Sequence, residues 1–427
     1  VLITYVIAFN EKEPKMADIR PFPALRPNPE LVEKVASPPY DVLNSDEARA
    51  MASDNPHSFL HVVKAEIDLP VDADVHGQNV YQLSADNLNK MVTEGTLIQD
   101  EVPCFYIYEL TMDGDSQRGI AAGVSAQEYE DGLIKKHEFT RREKEDDRAK
   151  HVEILQANAG PVLLTYRNTE KVSALINNIC DNTDPVYDFT ADDGIGHKVW
   201  VVADEDDING ISKAFGEIPA TYVADGHHRS ASGYRVRNLM RDANPAHTGN
   251  EPYNHYLAVL FPDNELKIMG YNRVVKDLNG LTAAELLEKA AEKFEVAEGP
   301  AAPESAHQFG MFLDSKWYRL TAKDGSFPAD DPVEGLDVAI LQSNLLTPLL
   351  GIGDPRTDNR IDFVGGIRGT DELERRCGLD AAVAFSCYPV SVEQLMTIAD
   401  ADAIMPPKST WFEPKLRSGV VVRSLKG

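Results

Sequence analysis

The run Thr221-Tyr-Val-Ala-Asp225-Gly226-His227-His228-Arg229-Ser-Ala-Ser-Gly233 constrains this chain more than any other stretch. Its β-branched and aromatic start reads as a short strand, Asp-Gly as a turn, and the remainder as a helix opened by three basic side chains. A strand that turns directly into a helix aims free backbone N–H groups and the positive end of the helix dipole at one point. Gly226, His227, His228 and Arg229 therefore form a candidate cradle for an anion, above all a phosphate. Asp225 stands at the rim, placed to accept a proton or hold a metal ion. Side chains on a helix point about 100° apart from one residue to the next, so the three bases cannot all serve one core.

At 427 residues the chain exceeds one simple core, and several units are expected. Residues 1–16 read as an N-terminal extension ahead of the domain-like pattern. Residues 17–254 read as an N-terminal α/β region carrying the turn, 255–330 as a smaller α+β unit, and 331–427 as a C-terminal region completing the site. Helices and strands alternate irregularly, giving an α+β class rather than a regular βαβ repeat. Within it, helices are expected over 47–53, 78–95, 208–216 and 282–294. Strands are expected at Phe59–Val63, Cys104–Leu110, 119–126, 199–203 and 255–261.

The formal charge of −27, from 42 basic against 69 acidic residues, repels nucleic-acid phosphates and anionic membranes. No nucleic-acid or membrane partner is expected; a small-molecule substrate is. Cys104, Cys180, Cys377 and Cys387 show no paired spacing, which points to a reducing, cytoplasmic setting.

Two further polar constellations accompany the turn. In the charged run Lys135–His151, Thr140 and Glu143 have capping-box spacing, so a helix is expected from about Arg141. Lys144, Asp147, Arg148 and His151 then share one face. His137 and Glu138 fall just ahead of that helix, where mixed acids and bases make a candidate catalytic group. The other constellation is Met405-Pro-Pro-Lys408-Ser409-Thr410-Trp411-Phe412-Glu-Pro-Lys415. It lacks the glycine lead-in of a Walker A loop. Its prolines stiffen a loop in which Lys408, Ser409, Thr410 and Lys415 present donors, with Trp411 and Phe412 as anchors. Arg356, Asp358, Arg360, Asn272 and Arg273 are lesser candidates.

With Ser37-Pro-Pro-Tyr40-Asp41-Val42, these segments occur in the order characteristic of domain-of-unknown-function family 1015, the HHR-motif family, which the chain resembles from Met16 onward. The Asp-Gly-His-His-Arg turn is also similar to the phosphate-binding turn of the ParB/sulfiredoxin superfamily, whose members include kinases of free serine that use ATP or pyrophosphate. That likeness implies a mixed-sheet ParB/sulfiredoxin-like core. It makes Asp225 a general base or metal contact and gives the phosphoryl donor to His227, His228 and Arg229.

The expectation is a phosphotransferase acting on a small hydroxyl metabolite, with free L-serine the best single choice and Mg²⁺ as cofactor. Arg148, His151, Lys408 and the turn would bind phosphate. Asp225, Glu138 or His137 would handle the proton, and Asp225 with Asp147 would hold the metal. The alternative is a nucleotide-binding regulatory protein without turnover. Everything depends on the three segments meeting in one cleft.

Overall fold

The computed structural model describes residues 17–426; the expected extension, residues 1–16, lies outside the described residues. A nine-stranded mixed sheet forms the larger body. Its strands run in the order Ile134–Lys135, Thr221–Asp225, Val162–Tyr166, His255–Pro262, Asp115–Ser125, Phe105–Met112, Gly196–Val202 and Tyr187–Thr190, with Ile19–Arg20 paired beside Asp115–Ser125. Two pairings are parallel, Thr221–Asp225 with Ile134–Lys135 and His255–Pro262 with Val162–Tyr166. Both faces are buried, and the period-two alternation of a strand divides them. Tyr106, Tyr108 and Leu110 enter one core; Phe105 and Ile107 enter the other. The second core is closed by the amphipathic helices Glu170–Asn182 and Glu205–Phe215, which contribute Val172, Ile176, Ile211 and Phe215.

A six-stranded antiparallel sheet forms the second body, in the order Phe294–Glu298, Lys316–Ala322, Gln308–Leu313, Val383–Cys387, Tyr271–Val275 and Ile361–Gly365. Helix Ala283–Ala290 starts from a complete Thr282–Glu285 capping box and buries Leu286 and Ala290 against this sheet's core. A four-stranded sheet joins Leu97–Gln99, Ala24–Pro27, Val422–Ser424 and Ala157–Asn158, and Lys267–Met269 pairs with Trp411–Glu413. The fold is therefore α+β, with one large mixed sheet and further antiparallel sheets. No helix among the described residues is long and apolar enough to cross a membrane, and all four cysteines are free.

Three expectations need correction. Strand His255–Pro262 belongs to the middle of the large sheet, hydrogen-bonded on both edges, and not to the smaller unit. The six-stranded sheet in turn takes strands from both sides of residue 330, because its inner strands need partners from Ile361–Gly365 and Val383–Cys387. Phe59–Val63 is not a strand: Leu60–Val63 is a helical turn. Phe59, Leu60, Val62 and Val63 are all buried, so this short apolar run carried no alternation to separate strand from helix. The remaining expected elements appear with shifted ends, as Gln78–Thr93, Phe105–Met112 and Glu205–Phe215 illustrate.

Candidate functional site

Strand Thr221–Asp225 lies one strand in from the sheet edge and ends in Gly226, whose φ of 97° opens helix His227–Ala243. A Cβ on Gly226 would lie 3.1 Å from Nε and 3.2 Å from Cζ of Arg229. The left-handed turn and the guanidinium tucked against it both require glycine. No side chain caps the helix, and its first turn contains no acid, so its positive end stays available to an anion. The helix lies flat on the sheet because Gly233 leaves no room: a Cβ there would meet Tyr256 at 2.9 Å.

The three bases of the turn diverge, as the helical angle requires. His227 points into the body, its ring edge-on to His137 with centroids 4.4 Å apart and its Nε2 unpartnered among the described residues. Burial, then the neighbouring His137, holds its pKa well below the usual histidine value. His228 Nε2 accepts the backbone N–H of Arg141 at 3.1 Å, linking the amino ends of two helices; burial and Arg141 lower its pKa. Arg229 donates through Nη1 to the Pro161 carbonyl. Its Nη2 lies 3.6 Å from Asp41 Oδ2 and 4.0 Å from Asp225 Oδ1.

A cavity of about 520 Å³ opens over the turn, and all three polar segments reach it. Its walls include Glu138, Arg141, Lys144, Asp147 and Arg148 from the charged run, Asp225 to Arg229 from the turn, and Lys408, Thr410 and Lys415 from the proline-rich loop. The backbone explains the meeting. Strand Ile134–Lys135 runs parallel to Thr221–Tyr222, so residues 136–141 leave the sheet beside the turn. The Met405 N–H then donates to the His137 carbonyl at 2.9 Å. Arg273 Nη2 donates to the Lys408 carbonyl at 3.0 Å, and strand Trp411–Glu413 pairs with Lys267–Met269. Trp411 is an anchor, its ring under Gly365, where a Cβ would fall 2.4 Å away; Phe412 is buried beside it.

Two of the carboxylates lining the cavity have opposite character. Burial pushes Asp225 upward, but Lys415 and Arg229 outweigh it and hold the group far below the carboxylate range. Lys415 Nζ sits 3.1 Å from Asp225 Oδ2 and 4.5 Å from the centre of the Trp411 ring. Burial instead raises the pKa of Glu138, with Lys408 the largest charge drawing it back. Arg148 lies 4.1 Å over the Tyr40 ring, its Nη2 2.6 Å from Asp147 Oδ2. Lys408 stands 5.5 Å from the Tyr271 ring centre.

Several expected site residues lie off the cavity. His137 is 1% exposed behind the turn, and burial lowers its pKa to about 4; it backs His227 and does not face a ligand. His151 is turned into the body, bonded to Ser84 Oγ at 3.0 Å, with burial lowering its pKa to about 4. Ser409 donates to the Pro406 carbonyl at 2.6 Å and shapes the loop. The capping box at Thr140 does not form. Helix Arg142–Leu155 starts one residue later, because Thr140 reaches the Glu145 carboxylate while the Arg141 N–H is taken by His228. Nor do Asp225 and Asp147 make a metal pair. Asp147 accepts from Tyr81 at 2.7 Å and pairs with His76 and Arg148. Among the described residues no group of three or more His, Cys, Asp or Glu is disposed to hold a metal.

Tyr40, Asp41, Arg141, Lys144 and Tyr271 line the cavity without having been singled out for it. Asp41 and Tyr40 carried a usable signal, the two prolines that precede them, which stiffen the loop at its point of use. Tyr271 carried none. Of the lesser candidates, Arg273 secures the loop as described, and Asn272 Oδ1 accepts the Cys387 N–H at 3.1 Å. Arg360 binds back to Asp358 and Asp277.

No curated protein matches the chain. Among solved structures, a free serine kinase in complex with AMP is 13% identical, aligning 69% of this chain with 86% of its own at a TM-score of 0.34. SbnI with a C-terminal truncation, from Staphylococcus aureus, is 12% identical over 72% and 89% at 0.38. A conserved hypothetical protein from Pyrococcus furiosus is 14% identical over 71% and 95% at 0.34. Likenesses this distant leave the site to be argued from its own geometry. The family model for protein of unknown function DUF1015 matches residues 19–339, spanning both the charged run and the turn, and the chain belongs to that family.

Proposed function

We propose that the protein is a phosphotransferase that moves a phosphoryl group from ATP or pyrophosphate to the hydroxyl of a small metabolite, with free L-serine the first acceptor to test. The observation that carries this reading is the meeting of three distant segments around one uncapped helix end, where cations face a carboxylate of raised pKa. Phosphoryl transfer asks for that combination: positive groups to stabilise the equatorial oxygens and a base for the attacking hydroxyl.

In this reading the phosphates lie on the amino end of helix His227–Ala243, with Lys408, Lys415 and Arg148 about them. Glu138 takes the hydroxyl proton as the acceptor oxygen bonds to phosphorus and the bond to the leaving phosphate breaks. Asp225, 3.1 Å from Lys415 and 4.0 Å from Arg229, orients those two cations. The ParB/sulfiredoxin likeness of the turn is consistent with this arrangement and is part of the proposal.

The test is to incubate the full chain with Mg²⁺, L-serine and either ATP or pyrophosphate, and to follow phosphoserine by mass spectrometry. Phosphoserine that disappears in Glu138→Gln supports the reading. No phosphorylated product from either donor with a panel of small alcohols would sink it. Tight nucleotide binding in that case would move the cavity to the regulatory alternative.

A further inference from the structure

A second cavity, of about 570 Å³, lies between the two bodies and adjoins the first. Glu138, Arg141, His228 and Lys408 border both, so a ligand can extend from one to the other across this junction. The volume is in the range of small-molecule and cofactor sites and far exceeds what a phosphate or pyrophosphate needs.

The two cavities differ in what they offer. In the phosphate cavity each of the aromatic rings Tyr40, Tyr271 and Trp411 already has a cation over it. In the second cavity Phe139, the residue after Glu138, is 67% exposed and bears its ring at the wall with Ile404 and Pro407 nearby. Across from it most charges are paired: Arg376 with Asp362 at 2.9 Å and Asp380 at 2.7 Å, and Arg356 with Asp354 at 2.8 Å, while Lys276 is exposed at the wall. An exposed aromatic ring facing a polar wall whose charges are largely paired suits a flat, uncharged body with hydrogen-bonding edges.

We propose that this second cavity is a nucleoside pocket: a base stacks on Phe139, and its phosphates pass the Glu138–Lys408 junction to the helix end. The inference rests on the phosphotransferase reading and deepens it, assigning the donor to the nucleotides rather than to pyrophosphate alone. It also gives the six-stranded body a role as the far wall of the ligand site.

The test is calorimetry on the full chain with AMP and with pyrophosphate, using Phe139→Ser, an exposed change that spares the core. AMP affinity is expected to fall roughly 5- to 100-fold, the range for losing one base–aromatic stack, while pyrophosphate binding changes less than about twofold. Phe139→Trp should restore AMP binding. Equal effects on both ligands, or none on AMP, would overturn the nucleoside pocket and leave the phosphate site standing. So would an AMP loss produced instead by Val75→Ser, at a residue that lines the phosphate cavity and not the second one. If wild-type protein binds neither ligand, the phosphate site itself is wrong, and the pocket falls with it.

Discussion

The turn Asp225–Arg229 and the loop Met405–Lys415 both bring cations to one cavity, yet they use them in opposite ways. In the turn the side chains answer to the protein: His227 to His137, His228 to the Arg141 N–H, Arg229 to Pro161, Asp41 and Asp225. In the loop the backbone is secured by Arg273 and by pairing with Lys267–Met269; Lys415 turns to Asp225, while the Lys408 side chain remains exposed. A basic signature thus divides into a part that builds a helix end and a part that meets the ligand. Residue type alone does not distinguish them.

That division can be broken experimentally. The largest effect belongs to neither region but to the base between them. Glu138→Gln should lower phosphoserine formation by about 10²–10⁴ with pyrophosphate affinity nearly unchanged, as steady-state assays and calorimetry would register. Next comes Arg229→Met in the turn, which removes the cation paired with Asp41 and the more distant of the two facing Asp225. Breaking such a pair costs ~2–4 kcal/mol, discounted here because both carboxylates are partly exposed; urea denaturation should show the loss. Little change in stability would make Arg229 a ligand group after all.

Acid should expose the scaffold role of the histidines. His137 and His151 are buried, with burial lowering each pKa from 6.5 to about 4. Above pH 6.5 they are neutral in folded and unfolded chains alike and contribute no pH dependence. Between pH 6.5 and 4 the unfolded chain binds protons that the folded chain refuses, so stability falls as pH falls, by on the order of 1–3 kcal/mol per group. Denaturation midpoints at pH 7 and pH 4.5 measure this, and His151→Gln should reduce the difference. The smallest effect sharpens the contrast from the loop side. Lys408→Ala should weaken pyrophosphate about tenfold, or ~1.4 kcal/mol, and leave the denaturation midpoint in place. Because Lys408 draws the Glu138 pKa down, its removal should also move the acid limb of turnover to higher pH.

The sequence made the helix end readable because Asp-Gly followed by bases is a local pattern, and local patterns survive without tertiary knowledge. The meeting of Asp225, His137 and Lys408 in one cleft could be stated from the sequence only as a condition; Asp225 and Lys408 line the cavity, whereas His137 is buried behind the turn and Glu138 beside it takes the wall. What escaped it was decided by distant partners. His151 shares a helical face with Arg148, yet Ser84 and the carbonyl of Val62 receive its ring. Thr140 has the spacing of a cap, but its hydroxyl donates to Glu145 instead, and His228 accepts the N–H of the next residue, Arg141. Strand His255–Pro262 looked like the start of a new unit because nothing local announces the parallel pairing with Val162–Tyr166.

Strand Val422–Ser424 is an inner strand of the four-stranded sheet, held between Ala24–Pro27 and Ala157–Asn158. A ribosome making this chain releases the early strands long before their shared neighbour exists, and Lys408 and Lys415 emerge only shortly before it. Until then the cavity lacks both cations of its proline-rich wall. A prematurely terminated product would carry the helix end and its bases but no finished pocket. Activity in such a protein reports on a chain made at least through Lys415.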